Sequence, residues 1–119
     1  MGRRRRRRGR EAPAPPAATT DYVDAEGNRL TLRDELSEGT LRQLRELEAR
    51  PVGTADDRWQ RRVEFLFERL AVRWEIAGLP LETQKELLGR YRLAGAGERG
   101  WIREVLAKHL RGRYPEIEI

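Results

Sequence analysis

FERLAVRWEIAGLPLE, residues 67 to 82, is the stretch on which the fold turns. Phe67, Leu70, Trp74 and Ala77 follow one another in steps of three and four, the spacing of one face of a helix. The same stripe extends back through Leu66, Val63 and Trp59 to Thr54, a good N-cap, with Asp56 and Asp57 where a helix dipole favours negative charge. Gly78 and Pro80 then stop it. This pattern predicts one long helix from about residue 55 to Ala77. A second, narrower stripe of Phe65, Val72 and Ile76 falls on nearly the opposite side, flanked by Glu64, Glu68 and Glu75 on one edge and by Arg62, Arg69 and Arg73 on the other. A helix with two apolar faces is either packed on both sides within its own domain or keeps one face for a partner. Phe65, Val72 and Ile76 are therefore the candidate partner-binding residues.

Working outward, DYVDAEGNRLTLRD (residues 21 to 34) places Tyr22 and Val23 before a turn-rich run. Leu30 and Leu32 then alternate with polar neighbours, as in a short hairpin with one wet face. SEGT (37 to 40) supplies cap-type residues, and Leu41, Leu44 and Leu47 predict a helix over about 40 to 49, before Pro51. On the other side, Leu87, Leu88 and Tyr91 predict a helix over about 82 to 93. AGAGERG (94 to 100) reads as a flexible joint. Trp101, Ile102, Val105, Leu106 and Leu110 mark a last amphipathic helix ending near Gly112, and RYPEIEI (113 to 119) reads as extended. The expected fold class is mainly α: a four-helix domain over residues 21 to 119, preceded by a short β-hairpin, with order beginning near Tyr22.

Residues 1 to 20 read differently. Arg3, Arg4, Arg5, Arg6, Arg7, Arg8 and Arg10 form a run without a single acid, followed by Pro13, Pro15 and Pro16. Such a segment has almost nothing to bury against its ordering entropy and is expected to be disordered. The formal charge of the whole chain is +5, yet the residues after Arg10 hold 18 basic against 20 acidic side chains. The arginine run is thus a candidate polyanion-binding segment of little sequence specificity, attached to a nearly neutral fold. Elsewhere, the arginine preference over lysine, alongside abundant Ala, Gly and Pro, is equally explained by GC-rich codons.

Catalytic chemistry finds few carriers. There is no cysteine, Ser37 is the sole serine and His109 the sole histidine, so a Ser-His-acid triad would have to use those two. Gly95, Gly97 and Gly100 match G-x-G-x-x-G formally but follow no hydrophobic strand, and the context for a dinucleotide loop is missing. No ligand spacing for a metal is evident. We expect no enzymatic activity, no cofactor and no metal. No stretch of about 20 apolar residues is present to span a bilayer, and the basic start lacks the apolar core of a signal peptide, so a soluble, cytoplasmic protein is expected.

Two stretches carry a likeness to a known family. RLTLRDELSEGTLRQL (29 to 44), a Leu-x-Leu-Arg strand passing through Ser-x-Gly into a leucine-spaced helix, resembles the start of tail assembly chaperones of long-tailed bacteriophages. FERLAVRWEIAGLPLETQKELL (67 to 88), with its Trp and Gly-Leu-Pro, resembles members from phages of high-GC actinobacterial hosts. The resemblance implies a small, mostly helical, non-enzymatic protein that binds the tape measure protein while tail tube subunits assemble around it. It also implies possible self-association and a site in the host cell cytoplasm. The arginine-rich start has no counterpart in the family pattern. It leaves open the alternative of a small nucleic-acid-associated protein gripping phosphates through that tail.

Overall fold

The computed structural model describes residues 18 to 49 and 53 to 119. Eight elements follow one another: β1 (Thr19–Val23), β2 (Arg29–Arg33), α1 (Glu38–Ala49), α2 (Ala55–Leu70), β3 (Ala71–Ile76), β4 (Leu79–Leu81), α3 (Gln84–Arg92) and α4 (Ala96–Arg111). The four strands form one antiparallel sheet in the order β1-β2-β3-β4, with α1 and α2 inserted between its second and third strands. The class is mixed, helices layered on an antiparallel sheet. This corrects the expectation of a mainly α, four-helix domain with a hairpin in front.

The correction lies in residues 71 to 77. α2 opens as expected, with a reciprocal capping box: the Asp57 N–H donates to the Thr54 hydroxyl and the Thr54 N–H to the Asp57 carboxylate, each at 3.1 Å. It ends at Leu70, where Ala71 takes extended backbone angles while its N–H still donates to the Phe67 carbonyl. The chain enters β3 with no intervening loop. Val72, Ile76 and Trp74 are β-branched or aromatic residues that suit a pleated surface, and β2 offers them an edge. Trp74 stands opposite Leu30, and Ala71 opposite Leu32. Ala77 and Gly78, with φ of 53° and 81°, form the tight turn to β4. Positive φ at both central residues is the type I′ arrangement that matches strand twist. AGLP is therefore a hairpin turn rather than a helix stop.

Other boundaries moved less. β1 spans Thr19–Val23, so Thr19 and Thr20 belong to the strand, ahead of the start expected near Tyr22. α1 starts at Glu38, its first turn held by the Ser37 hydroxyl accepting the Thr40 N–H at 3.1 Å. α3 starts after a second capping box, Thr83 with Glu86. The glycine-rich AGAGERG is a joint only as far as Gly95, and Gly97 and Gly100 lie within α4. The C-terminal RYPEIEI bends, the Ile117 N–H donating to the Tyr114 carbonyl at 2.9 Å, so that Ile117 and Ile119 pack back on the core.

That core fills the space between one sheet face and the helices. Leu30, Leu32, Ala71 and Trp74 come from the sheet, Leu44 from α1, and Val63, Leu66, Phe67 and Leu70 from α2. Leu87 and Tyr91 from α3, Ile102, Val105, Leu106 and Leu110 from α4, and Leu36 just before α1 complete it. Burial of each large apolar side chain contributes about 1.5–3 kcal/mol. The Phe67 ring stacks on Tyr91 with centroids 4.8 Å apart and meets Trp74 edge-on at 5.7 Å, fastening α2, α3 and β3 together. The opposite sheet face carries Asp21, Arg29, Thr31, Arg73 and Glu75, exposed or half-buried. Asp21 accepts from the Thr31 hydroxyl at 2.6 Å and pairs with Arg29 at 3.1 Å. The Thr31 bond, with Arg29 assisting, holds the Asp21 carboxyl below the usual range.

Candidate functional site

β2 and β3 do not pair evenly. Thr31 faces Arg73, but the next residue, Leu32, faces Ala71, so Val72 is the extra residue of a β-bulge. Freed from the ladder, Val72 is half-buried and lines a cleft of about 620 Å³ between the sheet, the start of α1, the end of α2 and α3. Leu36, Ala71 and Leu87 join Val72 as its apolar wall. Arg33, Arg69, Glu35, Glu68 and Glu82 supply charges of both signs around it. Such a surface accepts an apolar side chain and offers polar groups to the backbone or flanking residues of a partner.

The three expected partner-binding residues do not share one face. Phe65 lies on α2, half-buried against the core, its ring covered by the Arg69 guanidinium at 5.0 Å. Ile76 closes β3 opposite Leu79 and also packs on the core. Only Val72 reaches the cleft, because residues 71 to 76 are strand and the second helical stripe does not exist as a surface. Arg3 to Arg8 and Arg10, the expected polyanion-binding residues, lie outside the described residues. Sequence reasoning missed the cleft because its lining comes from two separated stretches.

The groups considered for chemistry are engaged in structural bonds. Ser37 caps α1 and donates to the Thr40 hydroxyl at 2.9 Å. His109 is 0% exposed, with Tyr22 on one ring nitrogen at 2.9 Å and the Arg33 carbonyl on the other at 2.6 Å. Burial first, and then the nearby Arg113, pushes its pKa down, although the Arg33 carbonyl and Asp34 act the other way. Among the described residues no group of three or more His, Asp or Glu converges as a metal site, and no helix is long and apolar enough to cross a membrane.

Arginine has a visible packing role. Arg69, Arg90, Arg99 and Arg103 lie over the rings of Phe65, Trp74, Tyr91 and Trp59, at 5.0 to 5.2 Å from the ring centroids. Trp59 and Trp101 are half-buried against the core and Trp74 is 2% exposed, in keeping with a packing role for all three indoles.

No protein-family model, no curated protein and no solved structure matches this chain.

Proposed function

We propose that the protein is a non-enzymatic binding protein, a tail assembly chaperone that holds a tape measure protein during tail assembly, and that the Val72 cleft is where the client docks. One observation carries the reading. Every residue that lines the cleft comes from the two stretches, 29 to 44 and 67 to 88, that bear the likeness to such chaperones. Stretches far apart in the chain thus converge on one concave surface with an apolar wall and a charged rim. A long helical client presents apolar side chains at intervals, and a groove of this kind takes them one or two at a time.

The test is co-expression of the full chain with a tape measure protein from the same genome. The client's soluble fraction should rise, and should fall back when Val72→Glu replaces the wild type at equal expression. An unchanged soluble fraction with the wild-type chain would end the proposal. A second reading rests on the charge split between the arginine run and the rest of the chain, in which the run holds nucleic acid non-specifically. Mobility shifts across a salt series, with and without residues 1 to 10, test that reading.

A further inference from the structure

β1 is an edge strand, and its outer side faces a second concave surface. The Asp24 N–H donates to the Asn28 carbonyl at 3.0 Å and the Asp34 N–H to the Ala18 carbonyl at 2.9 Å. These bonds mark residues 24 with 28 and 18 with 34 as hydrogen-bonded positions of the β1-β2 ladder. In an antiparallel ladder such positions alternate, so Thr20 and Tyr22 bond to β2, while Thr19, Asp21 and Val23 turn their N–H and C=O groups outward. No described residue takes those groups up. An edge of this kind is a template for another strand.

Beside that edge runs α4. Asp21, Tyr22, Val23, Trp101, Glu104, Val105 and Lys108 enclose about 370 Å³. Trp101 also lines a second hollow of about 430 Å³, together with Asp24, Glu26, Trp74 and Glu98. Val23 is 54% exposed, an apolar side chain with little covering it. Apart from Asp21, whose carboxylate turns to the opposite sheet face, four acidic residues line the two hollows against one cation, Lys108. Asp21 pairs with Arg29 and Glu98 with Arg90. No described residue forms an ion pair with Asp24, Glu26 or Glu104.

We propose that β1 and α4 form a peptide-binding groove that takes an extended, basic segment of a partner protein, added to the sheet as a fifth strand along β1. Main-chain bonds form with Thr19, Asp21 and Val23. Apolar residues at alternate positions rest on Trp101 and Val105, and arginine or lysine residues lie against Glu104, Glu26 and Asp24. A second copy of the chain fits poorly, because antiparallel pairing of β1 with itself centred on the strand sets Asp21 opposite Asp21. The chain's own basic segment fits poorly too. Gly2 to Arg10 holds no apolar side chain to rest on Trp101 and Val105 at alternate positions, and Pro13, Pro15 and Pro16 deny ladder donors to the residues nearer β1. This groove is separate from the Val72 cleft and does not depend on the chaperone reading.

The experiment titrates the full chain into a fluorescently labelled synthetic heptapeptide of alternating arginine and valine, read by anisotropy. Binding is expected, and N-methylation of the peptide backbone at alternate residues should weaken it by at least about tenfold, through lost strand bonds. Val23→Pro removes an outward N–H that the free protein does not use and should produce a similar loss. Glu26→Lys with Glu104→Lys should weaken binding at least about fivefold, and a glutamate-valine heptapeptide should bind worse than the arginine-valine one. The N-methylated comparison uses the unaltered chain and decides by itself whether strand addition occurs. Equal affinity for the methylated peptide would overturn the proposal, as would absence of binding. Displacement by a synthetic copy of residues 2 to 17 as effective as by the unlabelled heptapeptide would overturn it in favour of the chain's own segment.

Discussion

The Tyr22 phenol donates to Nδ1 of His109 across 2.9 Å, tying the edge strand to the last helix through two side chains 87 residues apart. The direction follows from the other ring nitrogen. Nε2 lies 2.6 Å from the Arg33 carbonyl, which only accepts, so Nε2 carries the proton and Nδ1 must accept. The two rings meet edge to face at 5.6 Å. A second proton on the imidazole would meet the phenol at Nδ1, inside a site that burial and Arg113 already make hostile to charge, with the Arg33 carbonyl and Asp34 only partly offsetting them.

This arrangement sets a pH dependence. Because the folded pKa lies below the ordinary value of about 6.5, the unfolded chain binds the proton more readily, and stability rises with pH between the two values. The contribution is therefore complete above about pH 6.5 and is lost as pH falls from there toward the folded value. Urea midpoints should be level from pH 7 to 8 and decline between about 6.5 and 5, a window above the one in which Asp21 titrates. His109→Phe should lower stability at pH 7.5 through its lost hydrogen bonds and should flatten the decline. A wild-type midpoint unchanged down to pH 5 would contradict this account.

Ala77 occupies a left-handed conformation with φ of 53°, which costs a residue with a Cβ about 1–2 kcal/mol. Ala77→Asn converts the turn to Asn-Gly, the preferred pair for this hairpin, and leaves the backbone N–H free to keep its 3.0 Å bond to the Asn28 side chain. The variant should gain about 0.5–1 kcal/mol in chemical denaturation. Ala77→Val should lose stability, since a β-branched residue resists positive φ.

Trp74 and Val72 are two positions apart on one strand and should differ sharply in what substitution costs. Trp74→Ala empties a site 2% exposed at the centre of the core and should cost about 3–5 kcal/mol. Val72→Glu places its carboxylate at the open bulge, beside Arg69 and Arg33 as well as Glu68, and should cost no more than about 1 kcal/mol. Thermal melts of both variants check the pair. A Val72→Glu chain as unstable as Trp74→Ala would remove the cleft as a docking surface.

For the arginine run, a mobility-shift series with duplex DNA should give a slope of log affinity against log salt of roughly −5 to −6, if six or seven phosphates are neutralised. Deleting residues 1 to 10 should abolish the shift. Affinity that survives the deletion would place the contact on the fold instead.

Much of this protein is determined locally. Thr54 with Asp57, Ser37 before its leucine repeat, and Gly27 at φ 86° in the turn closed by Asp24 act through neighbours a few residues away. For that reason α1, the start of α2 and the β1-β2 hairpin were legible from sequence alone, as were most core positions of α4. Residues 71 to 76 were not. In a regular strand, inward residues alternate, but the bulge at Val72 separates the two buried residues Ala71 and Trp74 by three positions, and Leu70 to Trp74 is a step of four. A bulged strand that follows a helix directly thus copies the helical period through its apolar residues. The choice between helix and strand is made by β2, whose Leu30 and Leu32 offer Trp74 and Ala71 a ladder and a common face, and by Phe67, against which the indole packs. The candidate site follows the same division. Val72 was legible as an apolar residue off the main face, but the cleft around it exists only once residues 33 to 40 and 68 to 87 are folded together. Hydrogen bonding across a sheet is non-local, so no window of sequence that contains only one of the two strands holds the information that decides it.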